Sequence, residues 1–178
     1  MRYIALLRAI NVGGHTVTMA RLRALCAGVG LRDVTTFIAS GNVRFESRAS
    51  NVGLLERRIE RHLETALGFE VATLIRTPAE MQAAAHFDPF GTAPVCDMPV
   101  SDFVGFLKAE PEAGAIARLL ALANAVDAFH VRGRECYWRR TGPNDASRFS
   151  GNALERVLGQ SATLRNVTTV RKLALLAG

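Results

Sequence analysis

No stretch of this 178-residue chain approaches the ~20 consecutive apolar residues that a membrane span needs. No membrane partner is therefore expected. Met1-Arg2-Tyr3-Ile4 runs straight into a strand pattern, without the charged lead, apolar stretch and small-residue cleavage site of a secretory signal. Cysteine is scarce: Cys26, Cys96 and Cys136 are odd in number, far apart and form no C-x-x-C pair. That fits free thiols in a reducing cytoplasm rather than a disulfide framework. Also lacking are H-E-x-x-H, paired Cys/His ligand spacing and a G-x-S-x-G elbow. Neither a metal nor a cofactor is expected. Of 22 basic residues only Lys108 and Lys172 are lysine. Net charge is +6 and the isoelectric point about 10.0, which invites a phosphate or nucleic-acid partner. Arginine in place of lysine, together with heavy alanine use, also explains that balance as composition.

What is present is an ordinary globular mix, 49% hydrophobic and 21% charged, long enough for one large domain or two small ones sharing a core. Residues 2–10 read as a central strand, apolar on both faces. Thr18 caps a helix over 19–29, whose Met19, Leu22, Leu25, Cys26 and Val29 share a face before Gly30. Cys26 reads as a core thiol. Val34–Ala39 and Val43–Glu46 form a hairpin over Ser40-Gly41-Asn42. A helix over 51–67, capped by Ser50 or Asn51, buries Val52, Leu55, Ile59, Leu63 and Leu67, stops at Gly68 and leaves His62 on the surface. Phe69–Thr77 is a fourth strand. The order is βαββαβ, a ferredoxin-like unit in an α+β protein.

A helix over 78–86 follows, opening on Pro78. Residues 88–101 hold four prolines and glycines and form an irregular connection between a first subdomain, 1–87, and a second, 102–178. In the second, Asp102–Lys108, a helix over Pro111–Leu122, a hairpin of Val126–Val131 and Glu135–Arg140, and a helix over Ser147–Leu158 repeat much of the pattern as βαββα. A last helix, Asn166–Ala177, is expected to return to the first subdomain.

Right-handed crossovers make the first and second strands parallel, so the end of the first strand and the following hairpin share one sheet edge. Arg8, Asn11, Gly13, Gly14 and His15 are expected to meet Ser40, Gly41 and Asn42 there, beside the free N–H groups of the 19–29 helix. Small residues, backbone donors and an arginine suit a phosphate or carboxylate. A turn satisfied by Asn11 is the structural alternative. Near the C-terminus, Arg165, Asn166, Thr168 and Thr169 open the last helix, and Asn166 is a good cap. Arg165, like Arg21 and Arg23, puts a cation at a positive helix end, which an acidic side chain or a bound anion close by would relieve. These residues are expected to complete the same pocket.

The blocks Tyr3–Gly14, Met19–Arg23, Ile38–Phe45 and Thr163–Leu173 resemble the hallmark segments of the bacterial family called domain of unknown function 1697. Asp88-Pro89-Phe90 and Ser147-Arg148-Phe149 extend the resemblance over nearly the whole chain. It implies an α+β fold of ferredoxin-like character and supplies no catalytic residues. Two positions depart from the family's pattern. Ala9 stands where glycine is common, which argues against an extreme backbone there, and Val167 stands where tryptophan is usual.

Two other functions compete with a small anionic ligand. Arg132, Arg134, Arg139 and Arg140 surround Tyr137 and Trp138, with Arg148 and Phe149 after them, a pattern that can cradle phosphates and stack bases of a nucleic acid. Alternatively, an open sheet face binds another chain or a second copy. His86 with Asp88 reads as a helix terminus, and His130 as half-buried beside Val126 and Ala128, with Asp127 facing the other way.

Overall fold

The computed structural model of the chain describes residues 1–39, 41–91 and 98–177. Its elements are β1 (Arg2–Leu7), α1 (Met19–Gly28), β2 (Arg32–Phe37), β3 (Asn42–Glu46), α2 (Val52–Leu67), β4 (Thr73–Arg76), α3 (Pro78–His86), β5 (Val100–Leu107), α4 (Ala113–Leu120), β6 (Asp127–Arg132), β7 (Glu135–Thr141), α5 (Gly151–Leu158), β8 (Ala162–Asn166) and α6 (Val167–Ala177). The chain is α+β, with two four-stranded antiparallel sheets of order β2-β3-β1-β4 and β6-β7-β5-β8. Two compact units divide it: Met1–Gln82 with Leu173–Gly178, and Ala83–Lys172. Among the described residues no helix is long and apolar enough to cross a membrane.

In the first unit β1 is buried from Tyr3 to Leu7, as an apolar run on both faces requires. Tyr3, Ala5 and Leu7 pack with Phe45 and Ile75 beneath Leu22, Leu55, Ile59 and Leu63 of α1 and α2. Each of the leucine, isoleucine and phenylalanine side chains among them contributes roughly 1.5–3 kcal/mol. Thr18 caps α1, Asn51 rather than Ser50 caps α2, and Gly68 ends α2 at φ +79°. β4 is an edge strand whose outward N–H groups would be orphaned. Glu60 Oε1 accepts from Thr73 N at 2.7 Å and Glu56 Oε1 from Ile75 N at 2.8 Å, so two carboxylates one helical turn apart seal the edge. Thr77 and Glu80 form a capping box at the start of α3, with Pro78 inside it. His62 is half-buried rather than on the surface, with Nε2 3.5 Å from where a side chain on Gly28 would begin.

In the second unit Leu107, Cys136, Trp138, Leu154 and Leu158 form the core under α4 and α5. Asp127 organises its rim, accepting from Trp138 Nε1 and Ser147 Oγ, both at 2.8 Å. Because Ser147 is held there, α5 starts at Gly151 behind Ser150, not at Ser147.

Other boundaries also depart from the sequence expectation. β1 stops at Leu7, not residue 10, because Ala9 turns left-handed at φ +67°. β4 covers only Thr73–Arg76, because β1 ends at Leu7 opposite Thr73 and the cap of α3 begins at Thr77. β2 is displaced to Arg32–Phe37 and carries an irregularity between Arg32 and Thr35, where Asp33 has φ +48°. The largest departure is β8. Thr163, Leu164 and Arg165 do not lead into a helix but pair with Phe106, Gly105 and Val104 as an edge strand. The second half is therefore βαββαβ, like the first.

Candidate functional site

The β1–α1 loop and the β2–β3 turn do come together. Leu7 N donates to Gly41 O at 2.8 Å, and Asn11 Nδ2 donates to Ala39 O at 2.9 Å. The other end of the Asn11 side chain accepts from Val17 N at 2.7 Å, so this one amide ties the loop to the hairpin and to the approach of α1. Gly41 sits at φ +71°, and a side chain on it would begin 3.0 Å from Leu7 O and 3.1 Å from Ile10 Cβ. Only glycine allows that approach. Asn42 is buried and donates from Nδ2 to Phe37 O, closing the turn. Ser40 lies outside the described residues.

The loop backbone is unusual. Ala9, Asn11, Gly13 and Gly14 have φ of +67°, +57°, +63° and +88°. The expectation of an ordinary backbone at Ala9 is thus overturned. Tethering by Asn11 and by Arg8 N to Ala72 O holds it in place against the roughly 1–2 kcal/mol cost of a left-handed alanine. Gly13 and Gly14 are exposed with open space around them. His15 stacks on Phe69, ring centroids 3.8 Å apart, instead of standing free over the glycines. Arg8 is half-buried at the end of β1. Thr18 Oγ1 accepts from Arg21 N, and the first turn of α1 holds no acidic residue. Arg23 reaches Thr36 Oγ1 at 2.9 Å.

Arg165, Asn166, Thr168 and Thr169 belong to the second unit, the loop residues to the first. Asn166 Oδ1 caps α6 by accepting from Thr168 N at 2.9 Å. Arg165 lies on β8, not in the helix, and its Nη1 donates to Thr163 Oγ1 at 2.7 Å and Leu164 O at 3.0 Å. Burial lowers its guanidinium pKa to about 10. Thr168 is exposed; Val167 and Thr169 are half-buried. Arg76, at the matching end of β4, escaped the sequence analysis. It is fully buried, and its Nη1 donates to Ile75 O at 2.9 Å. A basic residue just before a helix cap was the available signal.

The arginine-rich hairpin is largely committed internally. Tyr137 and Trp138 are both buried. Arg139 makes a two-point ion pair with Asp102 at 2.7 and 2.8 Å, a hydrogen bond that raises its pKa, and also donates to Phe90 O and Gly91 O. Arg140 donates to Asn144 Oδ1, and Arg132 lies 4.5 Å over the Phe87 ring. Arg134 is half-buried. Stacking a base on either aromatic would require opening this sheet face. Asp88 closes a turn by accepting from Phe90 N and Gly91 N, and His130 packs on Phe87. Burial pushes the Cys26 thiol up to about 11 and Cys136 up to about 12, so neither is a nucleophile near neutrality. Cys96 lies outside the described residues. Among the described residues no three His, Cys, Asp or Glu side chains gather as a metal site.

The chain matches the family described as protein of unknown function (DUF1697) over residues 1–137, and belongs to it. It is also similar to a solved structure of a conserved bacterial protein from Streptococcus pneumoniae. The two are 23% identical with a TM-score of 0.73, covering 99% of this chain and 97% of that one. At that identity the likeness shows the fold alone. No curated protein matches the chain.

Proposed function

We propose that this is a cytoplasmic protein of ferredoxin-like build that binds a small phosphate- or carboxylate-bearing ligand in the loop after β1. One observation carries the reading. Left-handed residues at 9, 11 and 13 alternate with residues of negative φ at 10 and 12. Such alternation turns successive N–H groups toward a common side and forms an anion-binding concavity. Among the described residues no hydrogen bond occupies the backbone N–H of Ala9, Ile10, Asn11, Gly13 or Gly14. The positive end of α1, free of acidic residues in its first turn, adds potential of the same sign. Arg8 and His15 flank the loop, and Gly41 with Asn42 supports it from the hairpin. Arg165, Asn166, Thr168 and Thr169 form a polar corner of their own in the second unit.

The test is titration with inorganic phosphate, followed by amide chemical shifts. The Gly13 and Gly14 N–H signals should move in a saturable way. His15→Glu, which places a negative charge beside the glycines at an exposed position, should weaken binding at least tenfold. If the signals of Gly13 and Gly14 stay still while phosphate is raised to saturation of any other site, the reading is wrong.

A further inference from the structure

A second feature of the first unit has no part in that reading. A cleft of about 520 Å³ is lined by Gly30, Arg32, Ser47, Arg48, Ala49 and Arg58. It gathers residues from the α1–β2 connection, the start of β2, the segment after β3 and the exposed side of α2. Three arginines line it and no acidic residue does. From the charge of the groups alone, an anion is the complement.

The three arginines are not equivalent, and the difference points to a built site. Arg58 is anchored, because its Nη2 donates to the Val29 carbonyl at the end of α1. Gly30 makes room for it: at φ +86° it terminates α1, and a side chain there would begin 3.2 Å from Arg58 Nη2. Arg32 and Arg48 are exposed, and among the described residues neither side chain makes a hydrogen bond or ion pair. Glu46, the register partner of Arg32 on β3, makes no ion pair with it. Two arginines without internal partners line the same cleft as a third that is fixed, so their N–H donors are available to a ligand there. Small side chains at Gly30, Ser47 and Ala49 keep that space open. Ser47 is itself buried, and its Oγ accepts from Ala49 N at 3.1 Å, so the floor of the cleft is fixed.

We propose that this cleft binds a diphosphate group, either as free pyrophosphate or as the end of a nucleotide. A single phosphate uses one bidentate guanidinium contact well. Two linked phosphates carry charge enough for all three guanidinium groups and offer a forked contact to each of the two unpartnered arginines. The site is separate from the β1–α1 loop and does not depend on it.

The experiment is calorimetric titration with inorganic pyrophosphate at low and at physiological salt, with the Gly30 amide signal followed in parallel. Binding should be one to one and should shift Gly30. Arg32→Gln with Arg48→Gln should weaken it at least tenfold without changing the melting temperature, since neither side chain holds the fold. His15→Glu should leave it unchanged, which separates this site from the loop. Adenosine diphosphate then identifies the source of the group: tighter binding than pyrophosphate assigns it to a nucleotide, weaker binding to free pyrophosphate. The proposal falls if the double variant binds as the parent does or if Gly30 does not respond. It falls equally if citrate competes as well as pyrophosphate, which would mean diffuse charge attraction only.

Discussion

Leu7 closes β1 and Leu107 closes β5, and the residues around these two positions make the same hydrogen bonds. Leu7 N donates to Gly41 O at 2.8 Å; Leu107 N donates to Arg134 O at 2.9 Å. Opposite Leu7 lies Thr73, whose N–H is taken by Glu60 of α2; opposite Leu107 lies Ala162, whose N–H is taken by Glu155 of α5 at 2.9 Å. Three residues further along each edge strand, Arg76 and Arg165 donate to the carbonyl of the preceding residue. Gly68 and Gly159 end the helices before these strands in the same left-handed conformation. The halves part company in their loops. The β2–β3 turn spans residues 38–41, whereas β6–β7 turns through 133–134. The β1–α1 loop covers 8–18, whereas 108–112 suffice between β5 and α4. What recurs is what a four-stranded sheet with a helix-covered edge demands. What does not recur is the long loop with its left-handed residues, and that is where the proposed ligand sits.

A core contrast gives the largest expected effect. Gly105 of β5 corresponds to Ala5 of β1, and a side chain on Gly105 would begin 2.7 Å from Leu154 Cδ2. α5 thus lies closer to its sheet here than an alanine would allow. Gly105→Val should cost about 2–3 kcal/mol in urea unfolding, because α5 must be pushed off the sheet. Ala5→Gly, its mirror, should cost only about 1 kcal/mol. Equal costs would mean that the two sheets are covered alike.

The edge carboxylates test the shared part. Glu60→Ala and Glu155→Ala each leave a strand N–H without its acceptor, and each should destabilise by about 1–3 kcal/mol. Loss of protection from hydrogen exchange should appear at Thr73 in one variant and Ala162 in the other. A large effect in one half with none in the other breaks the correspondence. The smallest effect is expected in the loop that only the first half has. Ala9→Gly relieves a left-handed alanine and should stabilise the protein by about 0.5–1 kcal/mol. A loss of stability would show that the methyl group packs usefully.

Element types were legible where two signals agreed. Thr18 and Gly30 bracket α1, Asn51 and Gly68 bracket α2, and the apolar stripe of Leu55, Ile59 and Leu63 is the buried one. The meeting of the β1–α1 loop with the β2–β3 turn followed from crossover handedness. β8 was missed because Asn166 is so good a helix cap that the residues before it read as an approach. A five-residue edge strand has too few residues to show its own alternation, and only pairing with Phe103–Leu107 makes it a strand. The roles of Glu56 and Glu60 were invisible for a related reason: on α2 they look like the charged face of any surface helix.

Local chemistry, read along the chain, was enough to determine the succession of helices and strands and the residues that start and stop most of them, because caps, glycine stops and apolar periodicity act within a few residues. Tertiary structure alone decided that Ala9 would be left-handed, that Arg76 would be buried, and that Arg32, Arg48 and Arg58 would line one cleft. Each of these is imposed by a partner distant in sequence, and neither propensity nor spacing carries information about what a fold brings alongside.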